Sequence, residues 1–229
     1  LICSPMPAEL IVFDDAEALA QHAAIDLARS IAQARAERGV AHVALAGGTT
    51  PMRCYELMDG ALRDWTGVHL WYGDERCVPF DDPDSNHGQV KERLRAPGAI
   101  WHPMPATMGP AEGAIEYGRE LGATVLDVCH LGLGPDGHTA SLFPHAPELM
   151  ATHVAVGVTE SPKPPPNRIT LSLPKINGSR RIVLLVTGEG KFGALGRTRG
   201  PESAETPASL LDRDRLTILA DRAASGGSS

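Results

Sequence analysis

Hydrophobic residues recur along this chain with two alternating spacings. Short, nearly continuous apolar runs, which are typical of strands buried in a parallel sheet, alternate with longer segments in which apolar residues recur every three or four positions. The second spacing places the apolar side chains on one face of a helix. This alternation, without internal repeats, predicts an α/β fold with a doubly wound, mostly parallel, Rossmann-like sheet and helices on both faces.

The predicted elements cover most of the chain. Strands are predicted at residues 9–13, 40–46, 68–72, 124–133, 168–173, 181–186 and 215–220, with a weaker candidate at 100–105 that contains prolines. Helices are predicted at 14–38, where Asp14 and Glu17 resemble a capping box, at 52–58, which Pro51 opens, at 84–95 and 112–121, and after His138 and Lys191. Residues 1–229 are predicted to form a single α/β domain with disordered termini at 1–8 and 225–229.

The composition narrows the class of partners. The 229 residues are 42% hydrophobic and carry a formal net charge of −7, without a lysine-rich run. We therefore expect no nucleic-acid partner, because neutralising phosphates needs a basic surface. We also expect no membrane span, which needs roughly 20 apolar residues, and no signal peptide. Four scattered cysteines predict reduced thiols and a cytoplasmic location, and the oligomeric state stays open.

Residues 131–144, LGLGPDGHTASLFP, combine a strand end, three glycines and a histidine. Ligands of parallel α/β sheets bind outside the carboxyl ends of the strands, so His138 is a candidate general base. The alternative is a helix-start histidine with a satisfied hydrogen bond. The glycines also spell G-x-G-x-x-G, but Pro135 removes an amide donor and Asp136 places a carboxylate where a pyrophosphate would bind. A dinucleotide site is therefore disfavoured.

A second glycine-rich turn follows the strand predicted at residues 40–46. Gly47 and Gly48 allow the backbone to approach an anion, and the hydroxyl of Thr49 and the free amides of a helix start can donate to it. This turn is a candidate phosphate site. An ordinary strand-to-helix turn is the alternative, and the lack of a lysine after the glycines excludes a Walker A loop.

Charged residues follow two further predicted strands. Asp74 and Arg76 come after residues 68–72, where a carboxylate can accept from sugar hydroxyls and a guanidinium can pair with a phosphate or carboxylate. Lys191 follows residues 181–186 and is expected at the same edge of the sheet. The alternatives are a surface turn with a local ion pair and a solvated lysine at a helix start.

Six sequence blocks resemble the signature blocks of the 6-phosphogluconolactonases, over about residues 9–224. They are GGTTP at 47–51, GDERCVP at 73–79 with DSN at 84–86, LGLGPDGHTASLFP at 131–144, RITLSLPKIN at 168–177, TGEGK at 187–191 and PASLL at 207–211. Thr49 stands where the family commonly has serine, and this departure keeps the hydroxyl.

The resemblance implies hydrolysis of 6-phosphoglucono-δ-lactone to 6-phosphogluconate in the oxidative pentose phosphate pathway, without a cofactor or metal. His138 would activate a water, and Asp74 would hold that water and polarise nearby hydroxyls. The implied phosphate pocket comprises Gly47, Gly48, Thr49, Arg76, Arg168 and Lys191. The expected partner is therefore a small phosphorylated sugar lactone.

Two alternatives stay open. Glucosamine-6-phosphate deaminases resemble this chain in the glycine turn, the Asp74 block and the D-G-H sequence. In those enzymes a glutamate follows and assists the histidine, whereas this chain has Leu142, Phe143 and Pro144 in the corresponding region. The second alternative is a non-catalytic sugar-phosphate sensor, which would be expected to carry a DNA-binding module and would be free to lose His138.

Overall fold

A seven-stranded sheet, in which every neighbouring pair of strands is parallel, forms the framework of residues 8–227, the part that this computed structural model describes. The strands of the chain are β1 (Glu9–Phe13), β2 (Ala41–Leu45), β3 (Val68–Tyr72), β4 (Asp74–Arg76), β5 (Ile100–Trp101), β6 (Val128–Gly132), β7 (Ala155–Val158), β8 (Arg168–Leu171), β9 (Ile182–Val186) and β10 (Leu216–Asp221). The large sheet has the order β1-β10-β9-β6-β2-β3-β5. The predicted, mostly parallel α/β sheet is confirmed.

Helices surround this sheet. They are α1 (Ala16–Arg38), α2 (Thr49–Ala61), α3 (Asn86–Arg93), α4 (Pro110–Leu121), α5 (Leu173–Asn177), α6 (Phe192–Arg199) and α7 (Arg222–Ser225). Strands β9 and β10 are buried at every position, so both faces of the sheet are covered. Most of the buried hydrophobic side chains form one contiguous cluster. Within residues 8–227, no helix combines the length and apolar character that a membrane span needs.

A small antiparallel sheet, with the order β4-β8-β7, lies beside the large one and was not predicted. Only Gly73 separates β3 from β4, so the chain passes directly from the large sheet into the small one. Ladder pairs join Asp74 to Thr170 and Arg76 to Arg168. The small sheet therefore brings residues from distant parts of the sequence to the carboxyl end of β3.

The residues predicted to begin α1 and α2 are wrong. Helix α1 is capped by Asp15, whose side chain accepts from the amide of Ala18 at 2.8 Å, and not by Asp14. Helix α2 begins at Thr49, so Pro51 lies inside the first turn and not at its first position. Both differences are small displacements of a helix that the pattern predicted.

The helix predicted after His138 is also wrong. Residues 139–146 form turns, with one isolated bridge between Thr139 and Leu142. Ala140 and His145 have φ values of 48° and 57°, which no right-handed helix permits. His138 therefore lies in a compact loop and is not a helix-start residue.

Several strand ends and one terminus differ from the predictions, and β5 covers only Ile100–Trp101 of the candidate at 100–105. Strand β6 begins at Val128 because the Thr124 amide still belongs to the turn after α4, where it donates to Leu121 at 3.0 Å. Strand β8 ends at Leu171 because Ser172 caps α5. Disorder at residues 225–227 is wrong, since Ser225 ends α7 and the Gly227 amide donates to Arg222 at 3.0 Å. Ala8, also within the predicted disorder, packs against the core. Residues 1–7 and 228–229, where the rest of the predicted disorder and Cys3 fall, lie outside the described residues.

Candidate active site

A cleft of about 300 Å³ opens at the carboxyl ends of β2, β3, β6 and β9. In parallel sheets this edge is where ligands bind, because the loops that follow the strands meet there. All eight residues that the sequence singled out line the cleft: Gly47, Gly48, Thr49, Asp74, Arg76, His138, Arg168 and Lys191. Their placement agrees with the prediction, whereas their roles stay predictions.

His138 and Asp136 form a hydrogen-bonded pair within the loop after β6. The Nδ1 atom of His138 lies 2.5 Å from Oδ1 of Asp136. Because an ionised carboxylate only accepts hydrogen bonds, we assign the ring proton to Nδ1, which leaves Nε2 as the acceptor. Burial lowers the pKa of His138, although the hydrogen bond to Asp136 opposes the shift. The ring is therefore neutral and basic at neutral pH.

The pKa of Asp136 depends in part on the same hydrogen bond. Burial is the largest single effect and raises the pKa of Asp136, but the hydrogen bonds and charge of His138 and the ammonium of Lys163 together outweigh it, and the net shift is downward. Sequence reasoning used Asp136 only as an argument against a dinucleotide. Its position two residues before a candidate base was a signal that the two side chains could pair.

Gly134 makes room for this pair. A Cβ atom on Gly134 would lie 2.0 Å from Nδ1 of His138 and 2.5 Å from Oδ1 of Asp136. Contacts this short do not occur between real side chains, so the imidazole occupies the space that any other residue would fill. This glycine of the G-x-G-x-x-G sequence is thus explained by the histidine, without a dinucleotide.

Asp74 also lines the cleft and is held by two side chains to which the sequence analysis gave no role. Its Oδ2 accepts from Oγ of Ser141 at 2.6 Å. The side-chain Nδ2 of Asn86 donates to the Asp74 backbone oxygen at 2.9 Å and to Oδ1 of Asp74 at 3.3 Å. Gly47 permits this arrangement, because a Cβ there would lie 1.9 Å from the side-chain oxygen of Asn86. Two of the resembling blocks therefore meet at Asp74.

Glu75 stabilises the backbone that carries Asp74 and Arg76. It is fully buried and accepts from the amides of Arg76, Asn86 and His87, each at 2.7 Å. Burial raises the pKa of Glu75 in spite of these donors. The sequence GDER is therefore not a solvated surface turn, since its central carboxylate organises the loop between β4 and α3.

The glycine turn delivers the start of α2 to the cleft. Gly48 has a φ of 98°, a left-handed value that glycine adopts without strain, and no side chain caps the helix. The first amides of α2 and the hydroxyl of Thr49 thus face the cleft, where partial positive charge favours an anion. A hydrogen bond joins the side chains of Thr50 and Thr187, whose Oγ1 atoms are 2.6 Å apart.

Four cationic side chains line the cleft in the described chain. Arg76 donates to the Asp84 backbone oxygen at 2.6 Å, and Lys191 donates to the Leu133 oxygen at 2.7 Å. Burial lowers the pKa of Lys191, and the nearby ammonium of Lys163 adds to the shift. The sequence analysis did not single out Lys163, because the proline-rich stretch at 162–166 is typical of a stiff connector.

The chain matches the family model described as glucosamine-6-phosphate isomerases/6-phosphogluconolactonase over residues 14–219. The chain belongs to this family. It is 37% identical to the 6-phosphogluconolactonase of Mycobacterium tuberculosis, over 93% of this chain and 99% of that protein.

Solved structures of the glucosamine-6-phosphate isomerase/6-phosphogluconolactonase family share the fold. The crystal structure of a 6-phosphogluconolactonase from Shewanella baltica aligns with a TM-score of 0.85 at 29% identity, over 93% of this chain and 97% of that one. A monomeric glucosamine-6-phosphate deaminase aligns with a TM-score of 0.80 at 24% identity, over 95% of this chain and 99% of that one. Two activities therefore occur on this fold, and only the site can separate them.

The loop after His138 has an apolar wall in this member of the family. The ring of Phe143 packs against the ring of His138, with the centroids 4.7 Å apart, and Leu142 is fully buried. None of Leu142, Phe143 and Pro144 carries the carboxylate that the resemblance to deaminases would lead one to expect. In the described residues no group of three or more His, Cys, Asp or Glu side chains is arranged to hold a metal.

Proposed function

We propose that this protein hydrolyses 6-phosphoglucono-δ-lactone to 6-phosphogluconate in the oxidative pentose phosphate pathway. The observation that carries the proposal is the Asp136–His138 pair, which engages Nδ1 and leaves Nε2 as the basic atom of a residue that lines the cleft, together with cations and an uncapped helix start. The 6-phosphogluconolactonases among the relatives support the same reaction. A phosphorylated lactone supplies both chemical groups that this cleft suits, an electrophilic carbonyl and a phosphate.

In the proposed mechanism His138 is first a base and then an acid. Nε2 takes a proton from a water as the water oxygen bonds to C1 of the lactone, and the carbonyl electrons move onto the C1 oxygen. When the tetrahedral intermediate collapses, the bond from C1 to the ring oxygen breaks, and Nε2–H returns its proton to that oxygen. Asp136 keeps the proton on Nδ1 and stabilises the intervening imidazolium. Because a lactone is an activated ester, we propose that no cofactor or metal takes part.

Asp74 is proposed to orient the water or the sugar hydroxyls. Its carboxylate is buried, but it borders the cleft and stays an acceptor while Ser141 and Asn86 hold it. A carboxylate held by neighbouring donors loses little entropy when it accepts one more hydrogen bond.

The phosphate is proposed to bind at the glycine turn and the cations of the same cleft. The turn Gly47, Gly48 and Thr49 would donate backbone amides and a hydroxyl, and Arg76, Arg168 and Lys191 would supply positive charge. Arg168 is already engaged, since it donates to backbone oxygens of Lys163, Pro164 and Pro165.

One experiment separates this proposal from deamination, the second activity in the family. Purified protein, pretreated with a chelator, is expected to release acid from fresh 6-phosphogluconolactone in a pH-stat and to release no ammonia from glucosamine 6-phosphate. The spontaneous opening of the lactone must be subtracted. Deamination also needs a carboxylate-assisted histidine to open the ring, and Phe143 stands in that region.

The other possible results of this experiment would each lead to a different conclusion. Ammonia release at a comparable rate would overturn the assignment, and loss of activity on chelation would reveal a metal requirement. Inactivity with both substrates would favour a sugar-phosphate sensor, which phosphorylated sugars would stabilise against thermal unfolding. A cytoplasmic location is part of the proposal, and the free thiols of Cys54, Cys77 and Cys129 are compatible with it.

A further inference from the structure

The four cations of the cleft differ in what their donors already bind. In the described structure Arg76 and Lys191 each donate to a backbone oxygen, and Arg168 donates to several. The ammonium of Lys163 instead lies 3.4 Å from Nδ1 of His138 and 3.7 Å from Oδ1 of Asp136. Lys163 is therefore the cation that stands directly beside the base, and none of its donors is committed to a backbone carbonyl.

Arg168 holds the loop that carries Lys163. Its Nε donates to the Pro165 oxygen at 3.0 Å, and its Nη2 donates to the oxygens of Lys163 and Pro164 at 3.0 and 3.1 Å. Arg168 is itself only 4% exposed and begins the central strand of the small sheet. Ser161 also fixes this loop, because its Oγ donates to the backbone oxygen of Lys163 at 2.8 Å. The Lys163 backbone is thus fixed, while its side chain, 39% exposed, can reorient.

We propose, on the basis of the lactone hydrolysis proposed above, that Lys163 is a further catalytic residue which donates to the C1 oxygen as it becomes negative, and that Arg168 is its positioning residue. A water at Nε2 of His138 must lie next to C1 when it attacks, so the C1 oxygen forms close to this ring. The Lys163 ammonium lies 3.4 Å from Nδ1 of this ring, and Lys163 lines the same cleft, so we infer that its side chain can turn towards this oxygen. An ammonium placed where negative charge develops lowers the barrier of the step.

The charges balance through the step. The proton of the attacking water goes to Nε2 of His138, and the carbonyl electron pair goes to the C1 oxygen. Lys163 keeps all its protons and exchanges a long contact with Asp136, at 3.7 Å, for a hydrogen bond to this oxyanion. On collapse the electron pair returns to re-form the carbonyl, and the ring oxygen leaves with the proton from His138. Lys163 then returns to Asp136, ready for the next turnover.

Lys163→Met tests the catalytic role by separating chemistry from phosphate binding. An oxyanion donor acts only in the transition state, so we expect kcat to fall about 10²-fold, the typical cost of losing one such donor. The inhibition constant of glucose 6-phosphate, which has the phosphate but no lactone carbonyl, is expected to stay unchanged. Lys91→Met, which removes an ammonium that lies over Trp101 outside the cleft, is the matched control and is expected to keep wild-type kinetics. Lys163→Arg, which keeps the charge, is expected to retain more activity than Lys163→Met.

The pH profile supplies a second readout. The ammonium of Lys163 lowers the pKa of His138. Its removal is therefore expected to raise that pKa, and the acid limb of kcat/KM moves to higher pH. A merely structural residue in this loop would not shift the limb in this direction.

The positioning role of Arg168 is tested with a double-mutant cycle. If Arg168 acts on kcat through Lys163, Arg168→Ala lowers kcat in the wild type but adds little in the Lys163→Met background. Losses of kcat that multiply would overturn this role. Because Arg168 is buried, Ser161→Ala serves as a second variant that loosens the Lys163 carbonyl without touching the cleft, and it is expected to lower kcat in the wild type only.

The outcomes distinguish this inference from the proposed function. Wild-type protein without lactonase activity would overturn both together. An active wild type with a Lys163→Met variant of unchanged kcat would overturn the inference alone. A variant with unchanged kcat, a higher KM and weaker inhibition by glucose 6-phosphate would make Lys163 a phosphate ligand.

Discussion

Replacing Gly134 by alanine should disable the base without removing any catalytic group. The new Cβ would lie 2.0 Å from Nδ1 and 2.2 Å from Cε1 of His138 and 2.5 Å from Oδ1 of Asp136. To restore ordinary contacts the imidazole must move by about 1 Å or more. The backbone of Gly134 does not have a positive φ, so alanine is acceptable there in every other respect.

The expected loss can be derived from this displacement. A shift of about 1 Å in a catalytic group costs roughly 10²-fold in rate, because the attacking water is no longer aligned. The stability cost should be near the lower end of the 1–3 kcal/mol that is usual for overpacking, about 1 kcal/mol. The His138 side chain is 16% exposed and borders the cleft, so it has open space to move into.

Initial rates in a pH-stat, corrected for spontaneous hydrolysis, and thermal unfolding measure the two effects on Gly134→Ala separately. Gly196→Ala is the matched control, because Gly196 lies in α6 with nothing within 4 Å of its added Cβ. The control should keep full activity and gain about 0.5–1 kcal/mol of stability. A folded Gly134→Ala variant with wild-type kcat would refute the assignment of the Asp136–His138 pair as the base.

Four further predictions concern three residues at or beside the cleft and one histidine of the core. His138→Asn should leave the fold intact and lower kcat about 10²-fold in the corrected pH-stat assay, and wild-type turnover would exclude His138 as the base. Asp136→Asn should lower kcat and move the acid limb of kcat/KM to lower pH, because the carboxylate raises the pKa of His138; a limb that moves upward contradicts this. Lys191→Ala should mainly raise KM for the phosphorylated lactone, and a loss confined to kcat would place Lys191 at the chemistry. His130 is fully buried with neither ring nitrogen hydrogen-bonded, and burial lowers its pKa to about 4. Below its unfolded-state pKa of about 6.5, His130 binds a proton in the unfolded state, whereas in the folded state it stays neutral down to about pH 4. The stability of the neutral buried ring is therefore complete above about pH 6.5 and is lost as the pH falls towards 4. Between about pH 7 and 4 the wild type should lose about 3 kcal/mol more than His130→Phe in urea unfolding, and equal losses would contradict the buried neutral ring.

Local sequence patterns were sufficient for the large sheet and for the edge where the cleft lies. The strands predicted at 9–13 and 68–72 have the observed bounds of β1 and β3, and the spacing in α1 predicts the face that it buries. These patterns follow from the geometry of a single strand or helix. The residues that end β2, β3, β6 and β9 were then expected together, since the carboxyl ends of parallel strands share one edge. Asp136 was within reach of the same reasoning, because it precedes His138 in the same loop.

Contacts between distant segments were decided only by the tertiary structure. The small sheet pairs β4 with β8, and Ser141 reaches Asp74 across 67 residues of sequence. Lys163 reaches His138 across 25 residues, on a loop whose prolines carry no periodic pattern. Periodicity reports which face of an element is buried but not which other element covers it. The element that covers each face determines which polar side chains lie beside the Asp136–His138 pair. That arrangement depends on the packing of the whole chain.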